Sequence, residues 1–401
     1  MRFSSWIAAA IAFATVTKAV PTSRLDPRDG IEAAKAEVSK RIADVTAKKL
    51  ASLEARAAAV KSKQKNGKGP CAQSCTSENV VFRKEYGDLT REERLDYVKA
   101  VKCLMELPGR TPRSIAPGAR SRFDDFTFAH IQQTMKIHYT GNFQPWHRFF
   151  MWSYEKALKE ECGYQGFHPY WDWAKYAAAP QDSPIFNGDD TSLGGNGEWI
   201  GPHGGVNLSA STADNPLQLP GGLGGGRVTK GPFANRTILL GPGEDLGGNP
   251  RPWKRDVGPA VNMRWANYTT ILDLLRAPDI TAFRFVSEGY KDTLKIGTHG
   301  AGHYVISGDP GGNAFTSPND PAFFVHHAQM DRTWALFQEM DPDTRRNDLG
   351  TGPYAHQTMN NNPPSNLTTL DEVLDLGYAG GKITIREVMD TTKGPFCYFY
   401  Q

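Results

Sequence analysis

Seven of the ten histidines in this 401-residue chain fall in two groups. His130, His138 and His147 lie in "FAHIQQTMKIHYTGNFQPWHRFF"; His299, His303, His326 and His327 lie in "THGAGH" and "NDPAFFVHHAQMDRTW". Neutral imidazole is a ligand for copper, zinc, iron or nickel, whereas carboxylate-bridged di-iron sites need glutamates that neither group supplies. Imidazoles from each group, with no thiolate and no carboxylate, favour a pair of copper ions. His299 and His303 are four apart, so on a helix their Cβ atoms stand roughly 5 to 6 Å from each other, a spacing that suits chelation of one ion. His326 and His327 diverge by about 100° on a helix and cannot serve the same ion. The spacing leans to His327, with Asp331 four residues on as its support and Arg332 holding that carboxylate.

These residues need helices to aim them. His130 and His138 are about two helical turns apart, and Gly141 then breaks the helix. Asn142 and Pro145 restart it, so His147 sits near a helix N-terminus, and the run ends at Gly163. Asp320 and Pro321 read as cap and first residue of the helix that carries His327. Two histidine-bearing helix pairs predict a mainly α fold, a four-helix bundle around the ion pair, with long irregular loops. "TREERLDYVKAVKCLMEL" adds a Thr-capped helix to the core. The Gly- and Pro-rich stretch between the two groups is an irregular insertion; His203 within it, like His356 further on, reads as a loop histidine.

The N-terminus, "MRFSSWIAAAIAFATVTKAV", has the layout of a secretory signal over residues 1–19. Residues 20–70 form a helical extension or a propeptide cut near Lys40 and Arg41, with Ile31, Ala34, Val38, Ile42, Val45 and Leu50 as its apolar stripe. The catalytic domain is expected over 71–401. No later run is apolar enough to span a membrane, and mean hydropathy is -0.49. A net charge of +3 excludes the basic stripe of a nucleic-acid binder. The reading is a secreted, extracellular protein of unassigned oligomeric state. Five cysteines then imply disulfides with one thiol left over; Cys71 and Cys75 near one end and Cys397 near the other suggest a bridge closing the domain. Sequons at Asn207, Asn235, Asn267 and Asn366 are candidate glycan sites.

The chain resembles the tyrosinase and catechol oxidase family, the type 3 dicopper polyphenol oxidases, through "RKEYGDL", "AVKCLMELP", "FDDFTFAHIQQ", "IHYTGNFQPWHRFFMWSYEKAL", "PYWDWA" and "NDPAFFVHHAQMDRTW". The resemblance implies His130, His138 and His147 on one copper and His299, His303 and His327 on the other, with His326 a neighbour. Tyr398 and Tyr400 in "CYFYQ" resemble the motif that ends the family's catalytic core, and no shielding domain follows it. Glu288 resembles the carboxylate that holds a water in tyrosinases. Two positions depart from the family pattern. Lys136 stands where many relatives carry a thioether-forming cysteine, and Gly300 stands where tyrosinases often carry a water-orienting Asn.

The expected chemistry is oxidation of small phenolic substrates by dioxygen: o-diphenols, and related o-aminophenols, to quinones, with weaker hydroxylation of monophenols. Phe323, Phe324 and Trp146 are expected to wall the pocket, with Gly300, Ala314 and Phe315 shaping substrate entry. The rival readings are a tyrosinase with strong monophenolase activity, a haemocyanin-like dioxygen carrier using the same six histidines, and a zinc hydrolase.

Overall fold

The computed structural model describes residues 27–65, 74–208, 217–289 and 296–401. The signal segment and Cys71 lie outside the described residues. Four helices surround the histidines: α3 (Arg122–Ile137), α4 (Phe143–Cys162), α8 (Gly297–Ile306) and α9 (Ala322–Met340). Around them stand α1 (Pro27–Lys65), α2 (Arg91–Glu106), α5 (Pro259–Trp265), α6 (Tyr268–Arg276) and α7 (Ile280–Glu288). Helix α4 packs on α9, α7 and α9 flank α8, and α2 covers α3 and α4. None of the described helices is long and apolar enough to cross a membrane.

Local chemistry sets these boundaries. Thr90 and Glu93 form a capping box at α2, as Ser121 and Asp124 do at α3, each side chain satisfying an otherwise orphaned backbone N–H. Helix α4 ends where Gly163 adopts φ 70°, a left-handed conformation that glycine takes without a Cβ penalty. The start of α9 falls one residue later than the Asp-Pro reading predicts. Pro321 is its cap, and Asp320 Oδ1 still accepts from the Ala322 N–H at 2.9 Å.

The strands are short and all occur in pairs. β1 (Val81–Arg83) runs parallel to the C-terminal β10 (Tyr398–Tyr400), in the register Val81↔Tyr398 and Arg83↔Tyr400. The Cys75–Cys397 disulfide closes the same junction, and Cys103–Cys162 joins the ends of α2 and α4. In the insertion, β2 (Gly197–Trp199) pairs with β5 (Gly225–Val228), β3 (Gly204–Leu208) with β4 (Leu217–Pro220), and β6 (Thr237–Ile238) with β7 (Arg251–Pro252). β8 (Val373–Asp375) and β9 (Lys382–Thr384) form a last hairpin.

The N-terminal helix packs on α6 and α9, and its Ala34, Val38, Val45, Leu53 and Ala57 are all buried. Leu50, predicted in that stripe, is only half-buried, and Lys49 takes the inward position. The Lys49 ammonium lies 2.8 Å from Glu339 and 3.4 Å from Asp390, so a buried ion pair adds to the apolar contacts of the helix at this position. Burial alone would raise Asp390, but Lys49 and Arg346 outweigh it and hold the carboxyl below its ordinary range.

Candidate metal centre

In the first group each ring is held by a backbone carbonyl. Nδ1 of His138 bonds Thr134 O at 2.9 Å, Nδ1 of His147 bonds Phe143 O at 2.8 Å, and Nδ1 of His130 bonds Phe315 O at 2.9 Å. With Nδ1 as the donor, Nε2 is left as an unprotonated lone pair. Nε2 of His130 and of His147 are buried without any hydrogen-bond partner. His138 is the C-cap of α3 rather than part of the helix, and this bend turns its ring toward the other two. Ligand nitrogens of the three lie within 4.8 Å of one another.

The second group is built differently. His299 and His303 rise from one face of α8, and Nε2 of His303 lies 3.1 Å from His299 Nε2 and 3.3 Å from His327 Nε2. One ring proton cannot satisfy three converging nitrogens, whereas one cation can. His326 also belongs to this cluster by distance, but its two nitrogens are already engaged. Trp173 Nε1 donates to Nδ1 at 3.0 Å, so the proton sits on Nε2, which donates to His299 O at 3.1 Å. We therefore place His326 as a support for the backbone of His299 and not among the ligand candidates. Gly302 makes room for it: a Cβ there would lie 2.1 Å from His326 Cε1.

The two triads face each other, with the His147 and His327 rings stacked at 4.3 Å between centroids. Burial is the first cause that lowers every one of these imidazoles, to about 4 for His138, to about 3 for His303, and well below the ordinary value for the other four. All six are therefore neutral at pH 7, the form that binds a metal. The unpartnered nitrogens, the neutral rings and the absence of thiolate or carboxylate within the triads fit a copper pair.

Aromatic side chains close the space around them. Phe323 stacks on His327 at 4.1 Å, Phe143 lies 4.7 Å from His299, and Trp146 lies 4.9 Å from His147. Phe324 instead stacks on Tyr154 at 3.6 Å and is core. Asp331 is also placed differently from the expectation. It accepts from Arg148 Nε at 2.5 Å and from the hydroxyls of Tyr398 and Tyr400 at 2.7 and 2.5 Å, while Arg332 reaches the Gln401 carbonyl. The tyrosines of the C-terminal strand thus lock α9 to α4 through a buried carboxylate.

Glu288 ends α7, buried, with Oε2 accepting the Tyr139 N–H at 2.5 Å and Oε1 without a partner. Burial pushes its carboxyl up to about 8, against the opposing pull of Arg284 and the Tyr139 N–H. Gly300 is half-buried between the two α8 histidines; a Cβ there would meet Ile296 at 3.4 Å and Tyr304 at 4.0 Å, ordinary contact distances, so a side chain fits. Phe315 reaches the site through its carbonyl, with its ring against Ala116, Ala119, Phe128, Ile131 and Leu240. Ala314 is exposed on the same loop, and Lys136 is exposed on α3.

The remaining expected positions lie elsewhere. His203 bonds Asp256 at 2.9 Å and His356 bonds Ser365 O at 2.8 Å, both in loops outside the triads. Asn235 and Asn366 are exposed, and the backbone of Asn207 lies in β3. Asn267 is buried as the N-cap of α6, with Oδ1 accepting from Thr269 and Thr270 and Nδ2 donating one hydrogen to Met263 O at 2.6 Å. A surface cavity of about 750 Å³ between α2 and the insertion is lined by none of the site histidines. Trp173 and Gly302 were not singled out from sequence; the partner each one serves is distant in the chain or defined only by packing.

A helical bundle with two opposed, buried histidine triads and, among the described residues, no other donor type has the donor set of a pair of imidazole-bound metal ions. Residues 120–340 match the common central domain of tyrosinase. A tyrosinase-like protein of Emericella nidulans (orsC) is 40% identical over 298 residues, covering 69% of this chain and 79% of the relative. Tyrosinase P of Aspergillus terreus is 36% identical over 345 residues, covering 82% and 94%. A mutant polyphenol oxidase from Thermothelomyces thermophila is similar in structure, with a TM-score of 0.85 and 52% identity over 91% of this chain and 98% of that one. The chain belongs to the tyrosinase family, whose members are oxidoreductases with a dicopper centre.

Proposed function

We propose that the protein is an exported catechol oxidase: it oxidises o-diphenols and o-aminophenols to quinones with dioxygen, and hydroxylates monophenols more weakly. His130, His138 and His147 hold one copper, and His299, His303 and His327 hold the other. The observation that carries this reading is the pair of buried, neutral imidazole triads stacked face to face. When bound, the copper pair supplies the redox capacity to pass four electrons from two catechols to one dioxygen, giving two quinones and two waters.

The protein's part is to bind, orient and manage protons. Phe323 and Phe143 present apolar walls beside the histidines, against which a phenol ring stacks. Glu288 takes the proton of the phenolic hydroxyl on its partner-free Oε1, and a carboxyl titrating near neutrality is suited to that transfer. A monophenol needs this proton removed and an oxygen atom inserted besides. Gly300 offers no side chain to hold a water for Glu288, which ranks catechols first.

One observation favours the second reading, a tyrosinase with strong monophenolase activity: Glu288 is already buried and held. Oxygen uptake on a monophenol and its matching catechol, measured beside copper content, separates the two. We expect faster turnover of the catechol, and a gain in monophenol activity in Gly300→Asn. Wild-type monophenol turnover equal to that of the catechol, without a lag and without added diphenol, would make this a tyrosinase proper. The leader-like residues 1–19, together with the two disulfides, support export. We assign 20–70 to an N-terminal extension and 71–401 to the catalytic domain, with Asn235 and Asn366 as the exposed candidates for glycans.

A further inference from the structure

Arg284 is a buried cation whose hydrogen bonds go mostly to backbone carbonyls and, among the described residues, to no carboxylate. Its Nε donates to Gln144 Oε1 at 3.0 Å, Nη1 to Leu349 O at 2.6 Å and Tyr354 O at 3.0 Å, and Nη2 to Gly141 O at 3.1 Å. Gln144 stands three residues before His147 in the first turn of α4, and Gly141 lies in the turn that follows His138. One guanidinium on α7 therefore grips both flanks of the turn joining two histidines of the first triad.

That turn is strained. Tyr139 has φ 51°, a left-handed conformation that a bulky residue keeps only when its surroundings impose it. In this conformation its N–H points at Glu288 Oε2, and its carbonyl accepts from Asn360 N at 3.1 Å. The turn is also tight: a Cβ on Gly141 would lie 2.4 Å from Thr368 Oγ1. Glu288 stands one helical turn beyond Arg284 on the same face of α7, so the residue that braces the turn and the residue the turn holds belong to one rigid element.

We propose that Arg284 is a positioning residue for Glu288. By bracing the turn from Tyr139 to Asn142 it keeps the Tyr139 N–H on Oε2 and leaves Oε1 directed at the substrate's hydroxyl. The phenolic O–H bond breaks and an O–H bond forms at Oε1; the proton then passes to water, which regenerates the carboxylate. This inference rests on the role proposed above for Glu288. Among the described residues, the titratable groups acting on this pair are Tyr139, with Tyr304 of α8 beside it, and Asp348, which acts on Arg284. Arg284 itself favours the ionised carboxylate, so removing its charge moves the pH at which Glu288 becomes a base upward.

The test compares Arg284→Gln, Arg284→Lys and Glu288→Gln as copper-loaded enzymes. The readouts are copper per chain, and kcat and KM on p-cresol and 4-methylcatechol across pH. For Arg284→Gln we expect wild-type copper content, a kcat on p-cresol lowered roughly 100-fold with little change in KM, and a rising limb displaced to higher pH. Arg284→Lys, which keeps the charge without the fork, should hold the limb in place and lose part of kcat. An Arg284→Gln enzyme with wild-type kcat per copper and an unmoved limb, or one whose only defect is lost copper, would overturn the proposal. If Arg284→Gln does not fold, Arg284→Lys decides: wild-type kcat per copper overturns it, and a lowered value on an unmoved limb upholds it. Wild-type p-cresol activity in Glu288→Gln would instead remove the role of Glu288, whatever Arg284 does.

Discussion

The two triads reach the same end by different means. In the first, every ring is oriented by a backbone carbonyl, and for His138 and His147 that carbonyl lies four residues earlier in the same segment. Folding the helix orients the ligand. In the second, the backbone of Gly311 acts on His303, and further supports are side chains and packing: Trp173 seats His326, His326 bonds the His299 carbonyl, and Gly302 leaves the space for that ring. Asp320 at the start of α9 is in turn fixed by Arg255 and Trp253 from the insertion. Two ligands of the first triad are thus oriented by their own segment, while His130 and the second triad depend on residues distant in the chain.

The largest effect should come from the ligands themselves. His147→Ala and His327→Ala each remove one of three nitrogens on an ion, and metal analysis should show the pair broken, with about one copper or fewer per chain, and oxygen uptake on catechol lost. Next comes Gly302→Ala, whose added Cβ would lie 2.1 Å from His326 Cε1. Displacing that ring should depress copper binding in the second triad while the first still binds, by direct metal titration. Equal loss from both triads would erase the asymmetry.

Away from the metal, Lys49→Met strips one partner from a buried ion pair and should destabilise the fold by about 3–5 kcal/mol, read from denaturant unfolding. The loss of stability should leave kcat on catechol nearly unchanged. The smallest effect is expected from Trp173→Phe, which removes a neutral hydrogen bond to His326 worth about 1 kcal/mol and lowers copper affinity modestly. A Trp173→Phe variant that binds copper as the wild type does would mean His326 needs no such seat.

What could be read from sequence follows how local the physics is. The helices carrying His147, His299 and His303 announced themselves by Pro145 in the first turn, the breaker Gly163 and i,i+4 spacing, all local signals, although the Asn142 side chain does not cap α4 and bonds Glu372 and Thr368 instead. His138 was read as helical because spacing alone does not reveal that α3 ends one residue earlier and turns the ring inward. The sequence links Asp331 to its neighbour Arg332, yet its partners are Arg148, Tyr398 and Tyr400, 67 to 183 residues away. The apolar stripe of α1 is legible at Ala34, Val38 and Val45 and fails at Leu50, because burial of Lys49 depends on Glu339 and Asp390, which only the fold brings near. Glu288, recognisable only by resemblance, gains a physical basis from its burial and the Tyr139 N–H.

The assignment of the adjacent histidines on α9 tests the account most directly, because both lie in the cluster by distance and hydrogen bonding alone separates them. Copper per chain should be measured for the wild type, His326→Ala and His327→Ala purified under the same conditions. We predict about two coppers for the wild type and for His326→Ala, and about one or fewer for His327→Ala. Loss of the second copper in His326→Ala with its retention in His327→Ala would contradict the arrangement proposed for the centre.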